Sequence, residues 1–264
     1  MYILSEMSED TYSTPLSAVI ITYNEARNIG RCLDSLAGLA DEVVVVDSFS
    51  TDRTEEICCS RGVRFLQHPF GGHIEQKNYA LTQAKYSFVL SLDADEALSE
   101  ELRAAIFQVK KAGLADGYTM NRLTNYCGQW IHHSGWYPDR KLRLFDRRRG
   151  GWGGTNPHDK VEMAPGSHIQ HLTGDLLHYS YYSVEEHLQR ARRYATIAAN
   201  AMLAQGRRGT WIQVLFSPLL KFLRNYVLKG GFRDGRAGWT ICYIAALETF
   251  WKYRALNSAA KTRR

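Results

Sequence analysis

The chain has 264 residues, of which 45% are hydrophobic, 23% charged and 12% aromatic. This balance excludes an intrinsically disordered or collagen-like chain and predicts a folded protein with a large buried core. The formal net charge of +6 favours acidic partners such as nucleotide phosphates, nucleic acid or an anionic membrane surface.

The cysteines and the first residues of the chain indicate its compartment. The five cysteines form neither a CxxC nor a Cys/His metal pattern, so we expect a reducing, cytoplasmic environment and no disulfide framework. Residues 1–10 carry acids and no basic stretch, unlike a secretory signal. No apolar run reaches the roughly 18 residues that predict a transmembrane helix.

Short apolar, β-branched runs alternate with helical patterns in the first part of the chain. The runs that predict strands are 16–22, 42–47, 62–67 and 86–92, and the helical patterns are 25–37, 51–61, 73–84 and 100–111. Near-continuous Val, Ile and Leu runs are typical of strands buried on both faces of a parallel sheet. In the second helical pattern, Ser50 or Thr51 ahead of Glu55 predicts a cap. The alternation predicts an open α/β sheet with ligands at the carboxyl ends of its strands.

The pattern changes after about residue 115. Short strand-like pieces at 141–145 and 176–179 lie among many Gly, Trp, Tyr and His residues, and a helical stripe follows at 184–202. Two candidate amphipathic helices, 211–229 and 237–256, carry Lys and Arg among Leu, Phe, Trp and Tyr. Such a pair is typical either of a packed helical hairpin or of interfacial helices on an anionic membrane.

Acidic residues follow the fourth apolar run, in the segment LDADE (92–96). On extended backbone, Asp93 and Asp95 project to the same side. Carboxylate oxygens at such a place suit Mg²⁺ or Mn²⁺ that is held together with substrate phosphates. The alternative is a solvated acidic loop or a helix N-terminus that collects acids. The position directly after a buried strand favours the metal.

Polar residues also follow the first two apolar runs, in the segments TYNE (22–25) and DSFSTD (47–52). Acids at these places can hydrogen-bond a ribose or a base. Taken singly, each segment is explained by helix capping, because Asn24, Ser50 and Thr51 are all good caps. Three acid-bearing strand ends at one edge of a sheet together predict a shared binding site.

The four motifs AVIITYNEARNIGRCLDSL, EVVVVDSFSTDRTEEI, GHIEQKNYAL and FVLSLDADEAL occur in this order within residues 16–110. Together they resemble the donor domain of glycosyltransferase family 2. The later stretches WYPDRKLRLFDRR and HDKVE resemble its branch of lipopolysaccharide-core heptose β-glucosyltransferases. The resemblance implies an α/β fold of the GT-A type, which is Rossmann-like with a mostly parallel sheet flanked by helices. Here a C-terminal helical extension follows it.

The resemblance implies an inverting, metal-dependent transfer of a hexose, with glucose from UDP-glucose as the first choice. The implied acceptor is a cell-envelope glycan or glycolipid such as lipopolysaccharide core. The alternatives are a catalytically inactive nucleotide-sugar-binding protein and a transferase acting on polyprenyl phosphate or another glycan. The implied partners are a UDP-sugar and the acceptor. If the C-terminal helices are interfacial and not a packed hairpin, peripheral contact with the anionic inner face of the cytoplasmic membrane is a further expectation. Nucleic acid is not expected, because the basic residues match no nucleic-acid-binding motif.

On this basis we divide the chain into a sequence of functional segments. They are a polar N-terminal arm (1–14), a donor-binding half (15–115), an acceptor and catalytic half (116–182) and a C-terminal helical region (183–264) that associates with membrane or packs as a hairpin.

The resemblance also implies roles for individual residues. Those at the nucleotide sugar are Thr22, Tyr23, Glu25, Asp47, Lys77, Asp93, Ala94 and Arg143. Those at the divalent metal, Mn²⁺ or Mg²⁺, are Asp93, Asp95 and His178. The general base that takes the proton of the acceptor hydroxyl is Asp159, in HD where many members carry Glu-Asp.

Each of the less specific assignments has a simpler structural alternative. Asp159 can form a turn after Pro157, and His178 can be a hydrogen-bonded core histidine. The planar guanidinium of Arg143 suits a diphosphate, and the alternative is a solvated charge on an edge strand. The aromatic residues suited to stacking on sugar rings, with core packing as the commoner role, are Trp130, Trp136, Tyr137 and Trp152.

Overall fold

The structure, a computed structural model, describes residues 13–155 and 158–262. Most of the predicted arm 1–14, together with Asn156 and Pro157, therefore lies outside the described residues. The chain separates into two compact units. The first unit is Met1–Asn121 with Arg140–Leu177, and the second unit is Arg122–Asp139 with His178–Arg264.

The first unit begins with the predicted alternation of strands and helices. Its first strands are β1 (Leu16–Thr22), β2 (Glu42–Asp47), β3 (Arg64–Gln67), β4 (Phe88–Asp93) and β5 (Glu96–Leu98), and its helices are α1 (Ile29–Leu36), α2 (Thr54–Ser60), α3 (His73–Gln83) and α4 (Glu100–Ala112). β1 lies between β2 and β4 and is parallel to both, and β3 is parallel to β2. The α/β fold predicted from the sequence is confirmed.

The middle of the chain contains far more strand than the sequence predicts. Its strands are β6 (Gly117–Tyr126), β7 (Gln129–Ile131), β8 (Asp139–Asp146), β9 (Gly150–Thr155), β10 (His158–Met163) and β11 (Ile169–Tyr181). Among the described residues, one sheet has the order β3-β2-β1-β4-β8-β6-β11-β5, with β7 paired to β6. β8 is antiparallel to β4. β9 and β10 form a separate antiparallel hairpin.

Alternate residues of β1 belong to two different clusters of the core. Ala18 and Ile20 pack with Ile29 of α1, whereas Val19 packs with Val44 of β2. All five side chains are almost completely buried. This explains the continuous apolar run, because a strand covered on both faces has no polar side. Burial of each Val or Ile side chain stabilises the fold by roughly 1.5–3 kcal/mol.

Two predicted helix starts are wrong, and the reason is a pair of interlocked loops. Asn24 has a left-handed backbone (φ 53°), so α1 begins at Ile29 and not at residue 25. The Asn24 N–H donates to Ser50 Oγ (2.7 Å), and the Thr51 N–H donates to Asn24 Oδ1 (2.8 Å). α2 begins at Thr54 without a side-chain cap. The polar residues expected to cap helices therefore join the ends of β1 and β2.

The second unit is mainly helical. It contains α5 (Val184–Ala204), α6 (Trp211–Leu223), a π-helical turn (Arg224–Leu228), a 3₁₀ turn (Gly231–Asp234) and α7 (Gly235–Thr262). Ser183 caps α5, and Thr210 and Gln213 form a capping box at the start of α6. α5 and α6 both pack on α7. Within the described chain, no helix combines the length and the apolar character needed to cross a bilayer.

Strand β11 approaches α4 so closely that only glycine fits at position 174. Gly174 has φ +83°, and a Cβ there would lie 2.3 Å from the backbone nitrogen of Leu102. Gly166 has a similar φ of +79° but has open space around it.

We expect Gly174→Ala to lower the free energy of unfolding by about 2–5 kcal/mol, because backbone strain and overpacking add together. Gly166→Ala should lower the free energy of unfolding by only about 1–2 kcal/mol, because it introduces backbone strain without overpacking. Urea denaturation followed by circular dichroism measures both. Equal losses in the two variants would mean that the approach of β11 to α4 is not tight.

Candidate active site

The acidic segment 92–96 turns sharply between two strands. Asp93 ends β4 and Glu96 begins β5, and the Glu96 side chain is completely buried. The Asp93 N–H donates to Glu96 Oε2 (3.1 Å), and the Ala94 N–H donates to the carbonyl oxygen of Ile21 in β1 (3.2 Å). The backbone is therefore held on both sides, and the carboxylates of Asp93 and Asp95 are half-buried at the strand end.

Two buried cations face this segment. Lys77 comes from the inner face of α3, where its Nζ lies 3.0 Å from Asp93 Oδ1 and 2.7 Å from Asp159 Oδ2. Arg143 comes from β8, where its Nη2 lies 3.2 Å from Asp93 Oδ2 and 2.8 Å from Glu96 Oε1. The Lys77 side chain is 4% exposed and that of Arg143 5% exposed, so solvent screens these ion pairs weakly. Lys77 thus joins Asp93 and Asp159, which are far apart in the sequence.

Trp152 of β9 lies against both cations. Lys77 Nζ is 4.2 Å and the Arg143 guanidinium carbon 5.0 Å from the centre of a Trp152 ring, distances typical of cation–π contacts. The Trp152 indole N–H donates to Ser91 Oγ (3.1 Å), and the side chain is buried. The stacking of Trp152 on a sugar ring that the sequence suggested is therefore wrong, because the ring packs under the charged cluster.

The charges of this cluster do not cancel. Lys77 and Arg143 face three carboxylates, those of Asp93, Glu96 and Asp159. Burial lowers the pKa of Arg143, but the neighbouring carboxylates, Glu96 first, outweigh it and leave this pKa raised. Arg143 is thus a permanent cation in the core, and the alternative of a solvated edge-strand charge is wrong. An excess of negative charge remains, to which the nearby Asp95 adds.

The residues expected at the nucleoside lie at the ends of β1 and β2. Thr22 is opposite Asp47 in the register of these strands, and both are buried. Thr22 Oγ1 has no hydrogen-bond partner among the described residues. Asp47 Oδ2 accepts the Ser50 N–H (2.7 Å), Glu25 Oε2 accepts from the Asn28 side chain (2.7 Å), and Tyr23 is 57% exposed. The ends of β1, β2 and β4 therefore lie side by side, as predicted for a shared site.

His178, the third expected metal ligand, belongs to the second unit. It lies in β11, and its Nδ1 is 3.3 Å from Thr124 Oγ1. No group of three or more His, Cys, Asp or Glu side chains that could hold a metal ion occurs in the described part of the chain. Asp93 and Asp95 nevertheless fit a cation that substrate phosphates help to hold, since one or two carboxylates suffice for such a site and the cluster carries surplus negative charge.

Glu96 is the residue whose importance the sequence reasoning missed. It is fully buried and paired with Arg143, so it determines the position of the guanidinium. A signal existed in β8, where residues two apart share a face. Arg143 shares its face with Phe145, which is completely buried, and an arginine on an inward face requires a buried acid as its partner.

The fold and this cluster define an α/β protein with a charged site at the carboxyl ends of its parallel strands. The model of the glycosyl transferase family 2 matches residues 17–164. The chain belongs to this family and is a glycosyltransferase, as the sequence motifs predicted.

Relatives in two bacterial groups match nearly the whole chain. The lipopolysaccharide core biosynthesis glycosyltransferase LpsC of Rhizobium meliloti (strain 1021) is 30% identical over 89% of this chain and 89% of its own length. An uncharacterized glycosyltransferase of Rickettsia bellii (strain RML369-C) is 29% identical over 92% and 86%. Among solved structures, S. aureus TarS 1–349 in complex with UDP has a TM-score of 0.48 at 18% identity, covering 95% of this chain and 92% of that one.

The buried pair of Arg143 and Glu96 gives a test of the cluster. We expect Arg143→Met to lower the free energy of unfolding by about 3–5 kcal/mol, because it leaves Glu96 charged and unpaired in the core. Adding Glu96→Gln should recover at least about 1 kcal/mol of this loss, since the two residues are in contact. Urea denaturation of the single and double variants measures the coupling.

Arg53→Met is the matched control, because Arg53 pairs with Glu56 on the exposed surface of α2. Its removal should leave stability nearly unchanged, as exposed ion pairs contribute little. If Arg143→Met were equally harmless, the cluster would not be a buried ion-pair network.

Proposed function

We propose that this glycosyltransferase transfers a hexose, with inversion and with the help of a divalent metal, from a UDP-sugar to a cell-envelope glycan or glycolipid. The observation that carries the proposal is the bridge of Lys77, which joins the strand-end acid Asp93 to Asp159 in the β9–β10 hairpin. Family membership and the LpsC relative, whose name refers to lipopolysaccharide core, support this substrate class. UDP-glucose is the first donor to test.

The donor half of the proposal rests on the ends of β1, β2 and β4. We assign the nucleoside pocket to Thr22, Tyr23 and Asp47. The buried hydroxyl group of Thr22 has no hydrogen-bond partner among the described residues. A hydroxyl that makes no hydrogen bond in the core is costly unless a ligand supplies the partner. We assign segment 15–115 to the donor on this basis, and segment 116–182, which contains Asp159, to the acceptor.

Asp93 and Asp95 are the residues we propose to hold the metal, which supplies charge opposite the departing diphosphate when it is bound. Arg143 acts through Asp93, because its Nη2 contacts Asp93 Oδ2 while Lys77 contacts both oxygens of the same carboxylate. A carboxylate fixed from two sides presents the same geometry to each incoming substrate. We keep His178 as a proposed third ligand of this metal.

Asp159 is the proposed general base. Lys77 holds its Oδ2 at 2.7 Å, and no hydrogen bond to its Oδ1 occurs among the described residues. Oδ1 takes the proton of the acceptor hydroxyl as that oxygen bonds to the anomeric carbon. The bond from this carbon to the diphosphate oxygen breaks on the opposite face, so the configuration inverts and no covalent enzyme intermediate forms. The turn that was the alternative for Asp159 is wrong, since Asp159 pairs with Gly154 in the hairpin.

The test separates donor cleavage from transfer. Wild type with Mn²⁺ or Mg²⁺ should release UDP slowly from one UDP-sugar, and Asp95→Asn should abolish the metal-dependent part. Asp159→Asn should keep donor binding but lower transfer to an added core glycan by about 10²–10⁴-fold, the usual contribution of a general base. UDP release and glycan mass are the two readouts.

Asp34→Asn is the matched control, because Asp34 is an exposed acid of α1 paired with Arg61. It should behave as wild type in both assays. The absence of UDP-sugar binding in wild type would overturn the proposed function, whereas binding without turnover would favour an inactive nucleotide-sugar-binding protein.

We also propose that α6 binds an anionic membrane surface. No residue of α6, all of which the structure describes, is fully buried. The large apolar side chains of this helix that are 44–64% exposed are Trp211, Ile212, Leu215, Phe216, Leu219, Leu220 and Leu223. Arg207, Arg208 and Arg224 lie exposed at its two ends. An apolar helix face bordered by cations fits the boundary between headgroups and acyl chains of an anionic leaflet.

The double variant Leu219→Glu, Leu220→Glu should weaken binding to phosphatidylglycerol-containing vesicles by at least about tenfold, because the lost burial of each leucine contributes roughly 1.5–3 kcal/mol. Vesicle sedimentation measures it. Phe70→Glu, at an exposed apolar residue of the first unit, is the control. Undiminished binding by the variant would refute the proposal, and dimers in wild type that the variant abolishes would assign this face to a second copy instead.

A further inference from the structure

A large cavity in the second unit is lined by none of the residues of the charged cluster around Lys77 and Arg143. Its volume is about 600 Å³, within the range of about 300–1,000 Å³ that is typical of small-molecule sites. All of its lining residues belong to the second unit. They come from β6, the segment that leads into β8, the end of β11, α5, α6, the π-helical turn and the residue after it, and α7.

The cavity is strongly positive. Its walls carry five cations, those of Arg122, Lys221, Arg224, Lys229 and Lys252, but only two carboxylates. These carboxylates are Asp139 and Glu248. Asp139 forms an ion pair with Arg122, whose Nη2 lies 2.8 Å and whose Nε lies 3.0 Å from Asp139 Oδ2. Lys221, Arg224, Lys229 and Lys252 form no ion pair within 4.0 Å among the described residues, so positive charge exceeds negative charge along the walls of the cavity.

The environment of Lys221 reflects this imbalance. Burial and then the nearby charges of Arg224, Lys229 and Lys252 lower the pKa of Lys221, although Glu248 acts in the opposite direction. Burial also raises the pKa of Glu248, which disfavours the charged form of the carboxylate that could offset the positive charge of Lys221. An anion in the cavity would remove this repulsion.

Other residues that line the cavity are suited to a sugar. Ser134, Thr124 and Ser180 supply buried hydroxyl groups, and Trp136 and Tyr181 supply rings whose centres are 5.9 Å apart. Asn225, a buried amide, reaches the cavity from the π-helical turn, a form of helix that occurs often at functional sites. Hydroxyl and amide groups bind sugar hydroxyls, and aromatic rings cover sugar faces.

We propose that this cavity binds an anionic sugar, through a phosphate or carboxylate group that meets Lys221, Arg224, Lys229 and Lys252. The identification of this sugar as part of the acceptor rests on the proposed function. The acceptor is then a negatively charged glycan and not a neutral one, and the cavity selects it by charge.

The experiment uses the full chain and three small probes: glucose 6-phosphate, glucuronate and uncharged glucose. Ligand-observed NMR gives the dissociation constants. We expect at least one charged sugar to bind wild type more tightly than glucose does, and the double variant Lys221→Gln, Lys229→Gln to weaken that binding by at least about tenfold, since charge-assisted hydrogen bonds are lost. The double variant Lys221→Arg, Lys229→Arg should retain binding within about threefold, because it keeps both charges.

The stability of the variants distinguishes binding from a structural role. Removing the charge of Lys221 relieves repulsion, so the Tm of the Gln variant should not fall. Lys85→Gln, Lys111→Gln removes two exposed cations of the first unit and is the matched control, with unchanged binding expected. Equal affinity of wild type for charged and uncharged sugars, or an equal loss in the control, would overturn the inference.

Two further measurements distinguish an anionic sugar from a lipid headgroup and the cavity from the donor site. Vesicles with phosphatidic acid present the same phosphate on a lipid, and a defect of the Gln variant that is confined to these vesicles would assign the cavity to a lipid headgroup and refute an anionic sugar. UDP release from the donor should be unchanged in the Gln variant. If wild type bound no donor but bound a charged sugar through Lys221 and Lys229, the proposed function would fail and the anionic sugar site would stand.

Discussion

The buried contact of Lys77 and Arg143 with three carboxylates is the constraint on which the rest of the site depends. Cations taken out of water are stable only when acids meet them, and here the acids come from β4, from β5 and from the β9–β10 hairpin. The fold therefore has to bring α3, β8 and these strands together. Trp152 excludes water from beneath the charges, which strengthens every interaction between them.

How far the sequence predicts this arrangement differs along the chain. The parallel strands were predictable because burial on both faces leaves an unbroken apolar run, as in β1 and β2. Strands β9 and β10 were not, since four of the six residues of GGWGGT are glycine and HDKVEM alternates between polar and apolar residues over only its last four positions. The helix starts near Asn24 and Ser50 were misjudged because the side chains that favour caps bond across two loops instead.

The candidate site was predictable in part for the same reasons. Strand ends converge in any parallel sheet, so Thr22, Asp47 and Asp93 could be grouped from their positions alone. That Lys77 contacts Asp159 depends on how the hairpin docks, which no local pattern encodes. Glu96 was missed for another reason. The inward-facing Arg143 indicates a buried acid as its partner, but several acids lie close together in segment 92–96, and the complete burial of Glu96 in the structure identifies it as that partner.

The way in which the hairpin is fastened has a consequence for how such enzymes diverge. Two consecutive residues of α3 hold it: Lys77 binds Asp159, while Asn78 exchanges hydrogen bonds with the backbone of Trp152, donating to its carbonyl oxygen (2.8 Å) and accepting its N–H (3.0 Å). Because the contacts of Asn78 are to backbone, they place few demands on the hairpin's sequence. A different hairpin docked on α3 in the same way would bring the residue at position 159 to the same place beside Lys77, so the hairpin sequence can change while the strand ends of the sheet stay as they are.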